Sequence, residues 1–178
     1  HGTVALPVTI TRVAEQVTAF HQVGVTWTRT SPDDLARVAA SPGLVFGGDG
    51  RGGFVVPEVG SSPDALATVV RLLGLVARTQ LTLSAIDRRI PEAHVVRHRL
   101  DTPWQRKGGI MRAVLEAAGD RTVDHTDGVR VVEADGSWAL VLPDPDAPFT
   151  WVWAEAGDDE AADDLAHEWM DVIDRAAR

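Results

Sequence analysis

Residues 47 to 53 read Gly-Gly-Asp-Gly-Arg-Gly-Gly, five glycines around one carboxylate and one guanidinium. Glycine tolerates positive φ and lets a backbone come close to a ligand. A loop of this kind at the carboxyl end of a strand is where α/β proteins usually hold their ligands. Asp49 accepts hydrogen bonds and Arg51 donates them, which suits the hydroxyl groups of a sugar. Gly48 and Gly52 are the places where the main chain would approach it. The residues that follow, Phe54 to Pro57, read as extended, so this is not a dinucleotide loop opening a helix. One carboxylate is too few for a Mg²⁺ loop. A flexible connection that binds nothing is the other reading of the same seven residues.

A second basic spot lies at Pro103-Trp104-Gln105-Arg106-Lys107-Gly108, near an expected helix start. Arg106 or Lys107 could contact a phosphate there; a capped surface turn is the alternative. The six histidines are His1, His21, His94, His98, His125 and His167. None has an HxH or HExxH partner. His94 and His98 share a strand face but stand about 13 Å apart, too far for one ion. No metal ligands are expected. No Ser sits in a G-x-S-x-G elbow and no acid–base pair is identifiable, so no catalytic residue is expected either. Phe149, Trp151 and Trp153 alternate on one strand. They could stack on a sugar, but such a stripe is more often core.

The elements that would carry these residues can be read in turn. Thr3 to Ile10 is a β-branched strand, and Thr11 caps a helix over residues 12–22 with Val13, Val17 and Phe20 inward. Val25 to Thr30 is a second strand. Ser31-Pro32-Asp33-Asp34 opens another helix, with Ser at the cap, Pro at the first helical position and acids in the first turn. Pro42-Gly43 ends it, and Leu44 to Phe46 begins a third strand that leads into the glycine loop. Ser62-Pro63-Asp64 starts a long apolar helix, and a short one follows around residues 83–90. Alternation of this kind predicts an α/β domain, a mixed and mostly parallel sheet with helices on both faces. Pro91 marks a composition shift, giving domains 1–92 and 93–178.

The second half predicts a small α+β domain with an antiparallel sheet. It comprises a strand at 94–100, a helix at 106–118 with Ile110, Val114 and Leu115 inward, strands at 129–133, 138–142 and 149–155, and a helix at 158–177 burying Leu165, Trp169, Val172 and Ile173. Ala134-Asp135-Gly136 signals a hairpin turn. Leu140 to Ala156, LVLPDPDAPFTWVWAEA, is a strand, a tight acidic proline turn and a second strand. These two strands are apolar on both faces, since Val141, Val152 and Ala154 oppose the aromatics. A sheet of that kind packs on both sides.

The chain has 178 residues, 44% hydrophobic and 24% charged, with no cysteine. Disulfides and thiolate metal sites are therefore excluded, and a reducing cytoplasm is the expected setting. A net charge of −9 argues against nucleic acid as a partner. Much of that charge lies in GDDEAADDLAHEWMD, which reads as a solvated helix face. No apolar run approaches the roughly 20 residues that span a bilayer, so no membrane partner is expected. The chain opens on His1-Gly2 without an initiator Met, as an excised or processed fragment would.

With these pieces in order, the chain resembles the last two domains of the α-D-phosphohexomutases, the phosphomannomutase/phosphoglucomutase family. That family's third domain carries a sugar-recognition loop G-E-x-S-G-H, and Gly48-Asp49-Gly50-Arg51-Gly52-Gly53 stands in its place. Its fourth domain has Asp-Gly-Val-Lys, a Trp-containing strand, R-P-S-G-T-E-P and a strand ending Glu-Ala. Asp127-Gly128-Val129-Arg130, Trp138, the 142–148 turn and Glu155-Ala156 follow in that order. L-P-D-P-D-x-P with P-W-x-x-K-G is similar to long bacterial proteins in which a sugar-1-phosphate nucleotidyltransferase, such as a mannose-1-phosphate guanylyltransferase, precedes a mutase-like region.

The resemblance implies a role in hexose-phosphate and nucleotide-sugar metabolism (mannose-1-phosphate, GDP-mannose). Hexose phosphate or a sugar nucleotide would be a weak ligand, and the upstream domains of the parent chain would be partners. The family's phosphoserine and Mg²⁺ loops belong to its first two domains, so the resemblance implies no cofactor here, Mg²⁺ in the missing part, and no activity for this chain alone. An assembly or sugar-phosphate-binding module without catalysis is the alternative. The departures are specific. In the phosphate loop Arg becomes Leu142, Ser becomes Asp144, Thr becomes Asp146 and Glu becomes Ala147. Two carboxylates disfavour a phosphate, and Pro145 removes a backbone donor.

Overall fold

Short β-branched runs alternating with capped helices build the first half. The structure, a computed structural model, describes residues 2–178; His1 lies outside them. The chain divides into two units, one ending at Glu92 and one running from Ala93 to Arg178.

In the first unit, β1 (Thr3–Pro7) lies between parallel strands β2 (Gly24–Thr28) and β3 (Leu44–Gly48), with β4 (Phe54–Val55) antiparallel on the outer side of β3. The crossovers are α1 (Val13–Phe20) and α2 (Pro32–Ala39). The start of α2 follows the sequence reading: Ser31 Oγ accepts from the Asp34 N–H at 3.3 Å, Pro32 is at the first turn, and Asp33 and Asp34 face the positive end of the helix. Leu35, Val38 and Ala39 of α2 pack on Ala5 and Val55 to form the core. The first helix departs from expectation. It begins at Val13, whose N–H is taken by Thr11 Oγ1 at 3.1 Å, and spans eight residues, so one turn reaches the sheet. Val13 is buried, but Phe20, expected inward, is 84% exposed and lies edge-on to His21.

Two helices close this unit, α3 (Ala65–Thr79) and α4 (Leu83–Asp87), each with a side-chain cap, Asp64 and Thr82. The long apolar helix α3 has no fully buried residue. A groove of about 520 Å³ separates it from the β3–β4 edge, lined by Val45, Phe46, Phe54, Val56, Leu72 and Leu75 among others.

The second unit is a five-stranded antiparallel sheet in the order β5-β9-β8-β7-β6. Its strands are β5 (His94–Asp101), β6 (Thr122–Asp124), β7 (Val129–Val132), β8 (Trp138–Pro143) and β9 (Phe149–Ala156). The three-residue β6 is absent from the sequence reading, being too short to show a period. A 3₁₀ turn at Trp104–Arg106 leads into α5 (Lys107–Ala118), and α6 (Asp159–Ala177) ends the chain. Ile110 and Val114 of α5 and Trp169 and Ile173 of α6 cover Val129, Val131, Val141, Val152 and Ala154. Leu115, expected inward, is 41% exposed, one position off the buried stripe.

The opposite face of this sheet is closed differently. Phe149, Trp151 and Trp153 are half-buried there and not in the helix-covered core, because odd positions of β9 point away from α5 and α6. They form an aromatic row, and guanidinium groups lie over it: Arg97 over Trp151 at 4.7 Å and Arg99 over Phe149 at 5.1 Å. Arg130 is buried, 3.9 Å above the Trp138 ring, and Trp138 Nε1 donates to Glu155 at 2.7 Å. Stacked Arg–aromatic layers cover part of this face without a second apolar layer.

Candidate functional site

The glycine loop follows β3 and is organised from inside by its own acid. Asp49 Oδ1 accepts the N–H groups of Arg51 at 2.7 Å and Gly53 at 2.9 Å, and the Asp49 N–H donates to the Gly53 carbonyl at 3.0 Å. Gly50 and Gly52 have φ of +72° and +99°, a region that favours glycine. A Cβ on Gly53 would stand 2.3 Å from Asp49 Oδ2, so a side chain there and the acid's present position exclude each other. Gly48 packs against Leu6 and Phe54 at the loop's base. Arg51 is exposed at the tip. The result is a tight turn that presents a guanidinium and one spare carboxylate oxygen at a strand's carboxyl end. That donor–acceptor pair fits hydroxyl groups.

Arg106 and Lys107 lie in the second unit and have partners there. An Arg106 Nη donates to the main-chain oxygen of Arg178 at 3.0 Å. The Lys107 ammonium donates to the main-chain oxygens of Asp144 and, at 2.5 Å, Ala147, while sitting 3.8 Å over the Trp104 ring. Lys107 thus brings a positive charge to the 143–148 turn, the stretch that resembles a phosphate loop. Two of its three N–H donors are committed to carbonyls.

The turn is further held by Asp144. One carboxylate oxygen accepts the Asp146 N–H at 2.9 Å and the other the Trp151 indole N–H at 3.2 Å. The Asp144 N–H donates to the Phe149 carbonyl at 3.0 Å, closing the base. Asp144 therefore serves the turn itself. The sequence reading found Lys107 and Asp144 separately and missed that Trp104, Lys107, Asp144 and Trp151 form one assembly. The signal was the P-W-x-x-K spacing, which sets the ring of Trp104 beneath the ammonium.

No protein-family model matches the chain. It is 33% identical over 98% of its length to a probable phosphoglucosamine mutase of Methanopyrus kandleri, of which it spans 39%. Its fold matches a phosphoglucomutase/phosphomannomutase family protein of Burkholderia thailandensis with a TM-score of 0.80 at 19% identity, covering 98% of this chain and 38% of that one. It also matches Aspergillus fumigatus N-acetylphosphoglucosamine mutase, solved in complex with GlcNAc-6P and magnesium, with a TM-score of 0.73 at 12% identity over 99% of this chain and 39% of that one. The chain therefore spans under two fifths of the length of the relatives it matches. Their names are those of mutases, and they lend no support to a nucleotidyltransferase upstream.

Proposed function

For a chain that is a region of an α-D-phosphohexomutase-family protein, we propose that it supplies the sugar-recognition half of a mutase-like parent acting on hexose or hexosamine phosphates. Its two units would correspond to the family's third and fourth domains. The observation that carries this reading is the Asp49-braced loop, whose place after β3 and whose exposed Arg51 match a sugar-recognition role. Gly48, Asp49, Arg51 and Gly52 would contact the sugar. The M. kandleri relative favours glucosamine phosphate as the substrate class over the mannose phosphate expected from the short motifs. A cytoplasmic setting goes with that role.

Phosphoryl transfer needs a positioned nucleophile and metal-assisted charge stabilisation. We assign no such constellation to the residues of this chain and propose that the Mg²⁺ site belongs to the parent's other domains. The chain alone is proposed to be inactive. A coupled assay of the purified chain with glucosamine-1-phosphate, glucose-1-phosphate and mannose-1-phosphate should show no turnover; measurable turnover sinks this point. Calorimetric titration with glucosamine-6-phosphate should give weak saturable heat that Arg51→Ala abolishes. Heat that survives Arg51→Ala removes the loop from the site.

The 143–148 turn favours a second reading for the phosphate end. Asp144 and Asp146 replace hydroxyl donors, so this part would serve as a scaffold in a module that binds sugar phosphate without transforming it. A single remaining Lys107 N–H would then be the anion contact. A nucleotidyltransferase ahead of the chain rests on L-P-D-P-D and P-W-x-x-K-G alone, and the upstream reading frame decides it.

A further inference from the structure

Strand β5 and helix α6 bring together histidines and acids that are 65 residues apart in sequence. Alternate residues of β5, His94, Val96, His98 and Leu100, form its less exposed row. On α6, Asp159, Asp163 and His167 follow at intervals of four and so share one helix face. His94 Nδ1 lies 2.8 Å from Asp159 Oδ1, and His98 Nε2 lies 2.8 Å from Asp163 Oδ1. His167 Nδ1 is 3.3 Å from the other Asp163 oxygen and 2.8 Å from the Asp163 carbonyl. The His98 and His167 rings are 5.2 Å apart, and one donor atom from each of His98, Asp163 and His167 lies within 4.8 Å of the others.

We propose that His98, Asp163 and His167 bind one divalent transition-metal ion of the Zn²⁺ type, clamping β5 to α6. Two imidazole nitrogens and a carboxylate oxygen are a donor set that zinc accepts with a fourth position left to water. Ligands on a tetrahedral ion with bonds of about 2.0–2.1 Å stand roughly 3.3–3.5 Å apart. The 3.3 Å separation of His167 Nδ1 from one Asp163 oxygen meets that spacing, and the 2.8 Å separation of His98 Nε2 from the other falls short of it by about 0.5 Å. The remaining adjustment falls on the His167 ring, whose side chain is 56% exposed and whose Nδ1 would exchange the Asp163 carbonyl for the ion. Mg²⁺ prefers an all-oxygen shell with retained waters, so this site is chemically separate from a mutase's magnesium. The competing account is a plain hydrogen-bonded cluster, Asp163 accepting from both imidazoles.

Titration of the full chain with ZnCl₂ in a non-coordinating buffer separates the two. One saturable ion per chain is expected. His98→Ala, His167→Ala and the shape-preserving Asp163→Asn should each weaken it at least about tenfold. His1→Ala, His21→Ala and His125→Ala should leave it unchanged, and excess MgCl₂ should not displace it. Co²⁺ added to the unmodified chain should give visible absorption bands that Zn²⁺ removes, a readout that does not depend on any variant folding. Unchanged Zn²⁺ affinity in the His98→Ala/His167→Ala double variant overturns the proposal. So does the absence of saturable binding to the unmodified chain below about 100 μM.

Discussion

At the residue scale, several positions are decided by one or two atoms. Gly128 has φ +67°, and a Cβ there would lie 2.3 Å from the Val141 carbonyl oxygen. Strain and collision add, so Gly128→Ala should cost about 3 kcal/mol in urea unfolding; a loss below about 0.5 kcal/mol would mean that the turn relaxes freely. Lys107 is a second case. Lys107→Ala strands the Asp144 and Ala147 carbonyls and should cost about 1–3 kcal/mol. Lys107→Arg should not restore it, because a planar fork cannot take the ammonium's place over Trp104 and between two carbonyls. Asp34 sets a pH dependence. The Arg29 N–H first, then the Arg37 guanidinium, hold its carboxyl below the ordinary range. The unfolded chain then binds this proton more readily, so the contribution to stability is complete above about pH 4 and fades as pH falls through the folded value. The stability gap between the parent chain and Asp34→Asn should be largest near pH 7 and shrink near pH 3. A gap that widens on acidification contradicts this account.

At the element scale, helix α3 gives the plainest prediction. Gly74 lies in its interior, and a Cβ there meets nothing within 4 Å. Gly74→Ala should stabilise by about 0.5–1 kcal/mol through backbone entropy, read from a raised urea midpoint at unchanged slope. Destabilisation would mean that the position is crowded. The elements most legible in the sequence are those with a cap and a period. Ser31 before α2, Asp64 before α3 and Asp158 before α6 each accept the N–H three residues on. The illegible ones lack both. Strand β6 has three residues, and α1 stops after two turns, leaving Phe20 in solvent. The aromatic row of β9 was legible as a stripe but not as to its covering, since Arg97 and Arg99 belong to β5, about 50 residues earlier, and long-range pairing carries no local signal. The glycine loop shows the same division. Its glycines and its place after a strand were readable, whereas the use of Asp49 on Arg51 and Gly53 needed the folded turn. Of the histidine–acid cluster only the four-residue spacing of Asp163 and His167 lies in the sequence, because His98 joins them through the β5–α6 packing.

At the scale of the whole molecule, the two units differ in how much core each has of its own. The first gathers Ala5, Leu35, Val38, Ala39 and Val55, while α3 keeps no fully buried residue. The second buries Trp169, Ile110, Ile173 and four valines of its sheet beneath two helices, and seals the other face with Trp138, Arg130 and Leu140. Its strands are tied by antiparallel ladders with no gap from β5 to β6. A segment of this size lies toward the small end of the range that folds alone, and its core is continuous. The polypeptide 93–178 should therefore fold by itself. Trp138 and Trp169, each 1% exposed, should give blue-shifted fluorescence and near-ultraviolet circular dichroism that vanish together in one cooperative urea transition. The two signals should lose amplitude at the same denaturant concentration as backbone ellipticity. A broad, non-coincident loss, or fluorescence already at the exposed-tryptophan position in buffer, would show that the second core is not sufficient on its own.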